Sequence, residues 1–244
     1  MTTNINDRRC INCEAFSEKA PIFKLLSRLE LAVINKDGYS VKYKAGEMIV
    51  KQGTSATHIV SLVDGMAKIL LEGDFNRNLI LKILKPWQIL GSPGIHSDNR
   101  HPYSVIAIEN SIVCFIDREN FKKVLHRNAK FAYAFIEYLS YTSVDNLNKM
   151  LNLTQKNMQG RLADALIYLS NFVYADTSFS SQLSRQDLAD LSVMSKENVS
   201  RILKEFENSN VIKYNHNKLE IISSDKLTEI SLIGKLNQPD KSLA

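Results

Sequence analysis

The segment Leu183–Phe206, LSRQDLADLSVMSKENVSRILKEF, constrains this chain more than any other. It reads as two short helices joined by a tight turn. Ser184 with Asp187 three residues on opens the first helix, and Ser195 ahead of Lys196-Glu197-Asn198 opens the second. Leu188, Leu191, Val199, Ile202, Leu203 and Phe206 recur at three- and four-residue steps, so each helix has one apolar side. The opposite side of the second helix carries Lys196, Glu197, Ser200, Arg201 and Lys204. Amphipathic helices with solvated charges are common in helical domains. A short helix that anchors one side and presents this polar set is also shaped to enter a DNA major groove.

Bulk charge does not carry that reading. The chain has 31 Lys and Arg against 26 Asp and Glu, a net of +5. Residues 157–244 hold ten of those cations and eleven of the anions, while residues 1–156 hold 21 and 15, so the excess lies away from the helix pair. Only local placement of Arg185, Lys196, Arg201 and Lys204 can meet phosphates. At 244 residues the chain has room for two modest domains. No apolar run nears the roughly 20 residues of a membrane helix, and MTTNINDRRCINCEAF has no signal-peptide core, so the expected compartment is the cytoplasm. Three cysteines do not suggest a disulfide framework.

Pro21–Ile34 reads as one amphipathic helix, with Phe23, Leu26, Leu29 and Val33 inward. From Tyr39 to Ile116 short apolar or alternating runs follow one another: Ser40–Tyr43, Met48–Lys51, His58–Val63, Met66–Leu71, Leu79–Leu84, Ser104–Ile108 and Ile112–Ile116. Turn residues such as Gly46, Gly53, Asp64-Gly65 and Gly73-Asp74 separate them, which predicts a compact antiparallel barrel or roll. Glu119–Lys156 reads as uninterrupted helix. Within it Ser140, Val144, Leu147, Leu151 and Thr154 keep a 4-3-4-3 rhythm suited to a two-stranded seam, although such a stripe could also pack on the roll. Helix Gly160–Val173, the helix pair, and a hairpin of Val211–Tyr214 and Lys218–Ile222 around Asn215-His216-Asn217 make a winged helix, with Ser224–Ile233 as a last short helix.

SRQDLADLSVMSKENVSRILKEFENSNVI resembles the helix-turn-helix of the CRP/FNR family of bacterial transcription regulators almost position for position. YKAGEMIVKQGT, the Asp64-Gly65 turn and LILKILKPWQILG resemble that family's β-roll of the cyclic-nucleotide-binding type. The resemblance implies an α+β chain: a leader (residues 1–20), a sensing β-roll (21–128), a dimerisation helix (129–157) and a winged helix-turn-helix (158–244). It implies a homodimer on a palindromic double-stranded DNA site with TTGA-like half-sites, with RNA polymerase contacted from an exposed loop at Ala175–Ser181. The DNA-contacting set is then Ser184, Arg185, Ser195, Lys196, Glu197, Asn198, Ser200, Arg201 and Lys204. Glu197 would accept from a cytosine amino group and Arg201 would donate to guanine or phosphate. Arg185, with Ser184 and helix amides, would hold a phosphate, and Lys204 would face the backbone. The family's usual turn glycine falls at Ser192, which would then carry a positive φ at a cost of about 1–2 kcal/mol.

The sensing end departs from the cyclic-nucleotide pattern. Gly91-Ser92 stands where a glycine-glutamate pair is expected, and Pro102-Tyr103 where an arginine grips the phosphate, which argues against cAMP. Arg100 is a substitute cation, and Gly91, Ser92, Arg100, Pro102, Tyr103 and Ser104 form the candidate effector pocket. Cys10, Cys13 and Cys114 are candidates for an iron–sulfur cluster or a thiol redox pair, with Ser17-Glu18-Lys19 where the FNR branch has another cysteine. The five histidines show no metal spacing and no nucleophile has a paired base, so the reading is not an enzyme. The alternative to a DNA reader is an effector-binding roll that acts through protein partners.

Overall fold

The computed structural model describes residues 20–90, 94, 97–215 and 218–234. They divide into two compact units, the second beginning at Leu147 and also taking in Gly73–Ile80. Among the described residues no helix is long and apolar enough to cross a membrane.

The roll is built on eight strands, of which only the first two residues of β5 fall outside the first unit: β1 (Tyr39–Tyr43), β2 (Met48–Val50), β3 (His58–Asp64), β4 (Ala67–Leu71), β5 (Leu79–Leu84), β6 (Ile89–Leu90), β7 (Ser104–Ala107) and β8 (Ser111–Asp117). They form two four-stranded sheets, β1-β8-β3-β6 and β2-β7-β4-β5. The register pairs Tyr39 with Phe115 and Ile69 with Val105, antiparallel in both sheets. Side-chain alternation gives β3 and β8 two jobs. Val60, Leu62, Val113 and Phe115 fill the space inside the roll. Ile59, Cys114 and Ile116 face a second core with Phe23, Ile34, Phe121, Phe131 and Phe135. Both faces of these strands are buried, so they read as nearly continuous apolar runs.

The helices differ from the expectation in two places. Pro21–Ile34 is not one helix: a 3-10 turn at Pro21–Leu25 ends, and α1 (Arg28–Asn35) starts afresh. Ser27 accepts from the Glu30 amide while Glu30 accepts from the Ser27 amide, a capping box that forces the restart. Leu29 is therefore 82% exposed, not inward. The long helix is also broken. α2 (Arg118–Arg127) stops at Asn128, whose side-chain oxygen accepts from the Phe131 amide at 3.0 Å and opens α3 (Ala129–Gln155). Its amide nitrogen donates to the Leu25 carbonyl at 3.1 Å, so one asparagine ends one helix, starts another and ties down the N-terminal turn. Phe121 then meets Phe131 and Phe135 edge-on, with centroids 5.5 and 5.1 Å apart.

In the second unit, Asn157 caps α4 (Met158–Tyr168), which continues into a π-type turn at Leu169–Tyr174. α5 (Arg185–Ser192), α6 (Lys196–Asn208), β10 (Ile212–Asn215), β11 (Lys218–Ile221) and α7 (Ser224–Ile233) follow. β9 (Ser178–Ser180) pairs with β11, giving a three-stranded sheet in the order β10-β11-β9. The expected loop Ala175–Ser181 is thus partly a strand. Phe179 is buried and stacks on Tyr174 at 4.4 Å, because an aromatic in an otherwise polar run is the group that gains most from burial.

Candidate nucleic-acid interface

The α5–α6 pair is assembled from its caps. Ser184 accepts from the Asp187 amide at 3.1 Å, and Asp187 accepts from the Ser184 amide at 2.8 Å, so the hydroxyl of Ser184 is engaged in the helix start. Ser195 accepts from the Asn198 amide at 3.3 Å and opens α6. Val199, Ile202, Leu203 and Phe206 are all 2% exposed or less. Their burial turns Lys196, Glu197, Ser200, Arg201 and Lys204 outward together, with Asn198 half-buried at the edge.

The turn between the helices corrects the expectation at Ser192. Ser192 is the last residue of α5, 1% exposed, and its hydroxyl donates to the Leu188 carbonyl at 2.6 Å. The left-handed residue is Val193, at φ 50. A β-branched side chain in that region is strained by about 1–2 kcal/mol. The turn keeps it because the Met194 amide reaches the Ala189 carbonyl, and Arg161 donates to the Val193 carbonyl at 3.1 Å and to Leu153 at 3.2 Å. Val193→Gly is expected to stabilise the protein by about 1 kcal/mol, since the relieved strain exceeds the added unfolded-state freedom. Thermal melting checks this: a gain of about 2–4 °C is expected, and a loss would refute the strain.

Electrostatics separates the polar residues. Glu197 is fully exposed at the first turn of α6. Hydrogen bonds from its own amide and from Ser195 hold its carboxyl below the usual carboxylate range. Arg185 stands at the first position of α5, with its guanidinium carbon 4.0 Å from the centre of the Tyr214 ring on β10. Its Nη1 is buried and has no hydrogen-bond partner among the described residues, so the ring of Tyr214 is the contact that holds the guanidinium there. Arg201 Nη1 donates to Glu205 at 2.5 Å, and Gln159 donates to the same carboxylate at 2.8 Å. The hydroxyl of Ser200 donates back to the Lys196 carbonyl at 3.0 Å and keeps its lone pairs. Tyr214, Gln159 and Val193 were not singled out from sequence, because their partners are remote in the chain. The Arg201–Glu205 pair is a four-residue helical spacing and was legible.

The described candidate effector residues are engaged within the roll or face solvent. Gly91 and Ser92 lie outside the described residues. Arg100 is exposed and donates to the Gly53 carbonyl at 3.0 Å, and Pro102 is exposed. Tyr103 is packed in the roll's inner core. Ser104 is fully buried, accepts from the Gln52 amide at 2.8 Å and donates to Glu72. Hydrogen bonds from Lys51 and Ser104 hold the Glu72 carboxyl below its usual range. A hollow of about 190 Å³ in the roll is lined by Tyr39, Val50, Lys51, Thr57, His58 and His101, and its rim at Ser55 is bridged to Arg100. Burial pushes the His101 pKa down, favouring the neutral ring.

Cys10 and Cys13 also lie outside the described residues. Cys114 is buried among apolar side chains on β8. Among the described residues no group of three His, Cys, Asp or Glu could hold a metal ion. A cubane cluster normally takes four thiolates and the chain has three cysteines, so the residues do not fit an all-cysteine site.

Comparison with known proteins agrees with both units. Residues 40–128 match the family model of the cyclic nucleotide-binding domain, and residues 160–230 match the Crp-like helix-turn-helix domain. The chain is similar to the transcriptional activator protein Anr of Pseudomonas protegens, 22% identical over 231 residues and covering 93% of each chain. It is also similar to the cAMP-activated global transcriptional regulator CRP of Salmonella typhimurium, 22% identical over 175 residues, which covers 70% of this chain and 83% of that one. Its fold is similar to that of FixK2 from Bradyrhizobium japonicum, with a TM-score of 0.72 at 18% identity, covering 79% of this chain and 96% of that one. A roll followed by a winged helix, both matched and in this order, means that the chain belongs to the CRP/FNR family of transcription regulators.

Proposed function

We propose that the protein is a homodimer that reads a palindromic DNA site through α6 and is switched by a signal received at the roll. The outward polar face of α6 over a fully buried apolar one is the observation that carries this reading. Ser195, Lys196, Glu197, Asn198, Ser200 and Arg201 occupy its first turns, which meet base edges in helix-turn-helix docking. The guanidinium of half-buried Arg185, held over the Tyr214 ring at the first position of α5, is assigned a phosphate oxygen, with the capped start of α5 and Ser184 beside it and Lys204 further along the backbone. Half-sites of TTGA type would lie about 34 Å apart, one helical turn. A polymerase contact would fall on the exposed Ala175, Asp176 and Thr177 that precede β9.

The signal we assign is not a cyclic nucleotide. Arg100, the substitute cation, is engaged with Gly53, and Ser104 with Glu72. The cavity at Tyr39, Thr57, His58 and His101 offers hydroxyls and imidazoles to a small molecule instead.

Competition binding tests the reading. The full-length protein, purified from its own cells with and without oxygen, is titrated against a labelled TTGA-type palindrome in about 100 mM salt, with random duplex as competitor. Preference of at least about 1000-fold for the palindrome is expected. Equal affinity for both duplexes in every condition would refute it.

A further inference from the structure

We propose that Glu205 is a positioning residue for the base-reading Arg201, and that Gln159 fixes Glu205 in that role. The inference rests on α6 being the recognition helix. Both carboxylate oxygens of Glu205 are used, and by different elements. Oε1 takes Arg201 Nη1 at 2.5 Å and Oε2 takes Gln159 Nε2 at 2.8 Å. Gln159 stands in the first turn of α4, so the carboxylate is held from outside its own helix.

Stability does not explain this arrangement. The Arg201 and Glu205 side chains are 53% and 33% exposed, and exposed ion pairs contribute little. The acid also lies on the C-terminal side of the base, the weaker order along a helix. A carboxylate on the face that meets DNA repels phosphates as well. Its use is geometric. An arginine has many rotamers and five donors, and fixing one edge of the fork against Glu205 leaves the other donors for one direction. A pre-oriented guanidinium meets the two acceptors of a guanine, whereas a free one is equally satisfied by any phosphate. The neighbouring carboxylate also offsets the charge that would draw Arg201 to the backbone. Glu205 therefore trades non-specific affinity for discrimination.

Selection from a library of duplexes with randomised half-sites, using the full-length dimer, tests this. Glu205→Gln is expected to lose preference at one base pair per half-site, the one read by Arg201, and to keep the preference set by Glu197. Its ratio of selected-site to scrambled-site affinity should fall about tenfold, mostly through tighter binding to scrambled DNA. Gln159→Leu, which leaves Glu205 in place, should weaken the same base pair and serves if Glu205→Gln proves unstable on thermal melting. In an Arg201→Ala background, Glu205→Gln should change the ratio less than about twofold, because the two act as a unit. An unchanged selection pattern in both single variants, or the same tenfold fall without Arg201, overturns the positioning role. If the unmodified protein itself selects no sequence, the DNA reading fails and this role with it. If it selects a palindrome that both variants also select, only the positioning role fails.

Discussion

Leu147→Glu combined with Leu151→Glu is expected to turn the proposed dimer into a folded monomer that binds the proposed palindrome at least about 100-fold more weakly. Along α3, Val144, Leu147, Met150 and Leu151 are 51–64% exposed, and Ile136 and Tyr141 are also exposed. A stripe of that size is uncommon on a monomeric surface. The proposed seam passes through two polar residues, Ser140 and Thr154, whose hydroxyls are bonded within the helix. Ser140 donates to the Ile136 carbonyl and Thr154 to the Met150 carbonyl, each at 2.9 Å, so neither hydroxyl would be left without a partner when a second helix covers it. Four glutamates in the proposed two-stranded seam cannot all be solvated, so the proposed dimer is expected to dissociate. The substituted positions are exposed within each chain, so the fold of each unit survives. Joined half-site readers gain about 10²–10⁴ from linkage alone, and that gain is lost in the monomer. Sedimentation at micromolar concentration and titration against the palindrome measure both effects. A variant that remains dimeric would show that the seam lies elsewhere.

Element type was legible wherever one physical signal dominated. Leu79–Leu84 and Ser224–Ile233 have the bounds expected from pattern, because a turn or a serine cap marks each start. The break at Asn128 was not legible. Asparagine is tolerated inside helices, and it is a terminus here because its side chain caps the Phe131 amide while tertiary bonds to Leu25 and Glu30 hold it in place. The Ser27–Glu30 box was present in the sequence as S-x-x-E but was outweighed by the apolar period of Pro21–Ile34. The interhelical turn misled by one residue, since valine is a poor candidate for positive φ and only contacts such as that from Arg161 show why it persists. The polar face of α6 followed from periodicity. Its fine structure did not, because Tyr214 under Arg185 and Gln159 behind Glu205 come from distant parts of the chain. The effector residues were carried over by resemblance, and their converging geometry depends on side chains that have changed. Arg100 finds a carbonyl and Ser104 a carboxylate within the roll itself.

Glu197→Ala is expected to abolish preference at one base pair in each half-site while leaving the dimer and its non-specific affinity intact. A carboxylate that accepts from a cytosine amino group is worth about 1–3 kcal/mol of discrimination, and two symmetric half-sites double it. The selected palindrome should therefore lose roughly 30- to 2 × 10⁴-fold in affinity. Binding to scrambled DNA should rise slightly, because a negative charge leaves the interface. Protonation provides an independent check. Hydrogen bonds from its own amide and from Ser195 favour the ionised form, so the folded-state pKa is depressed. The acceptor is thus present at neutral pH and is lost only as pH falls through that depressed value. Discrimination at this base pair should be constant from pH 8 down to about pH 5, above the ordinary glutamate range. A discrimination that fell away between pH 7 and about pH 6 would implicate a histidine rather than Glu197. An Ala variant with an unaltered selection pattern would remove Glu197 from base readout altogether.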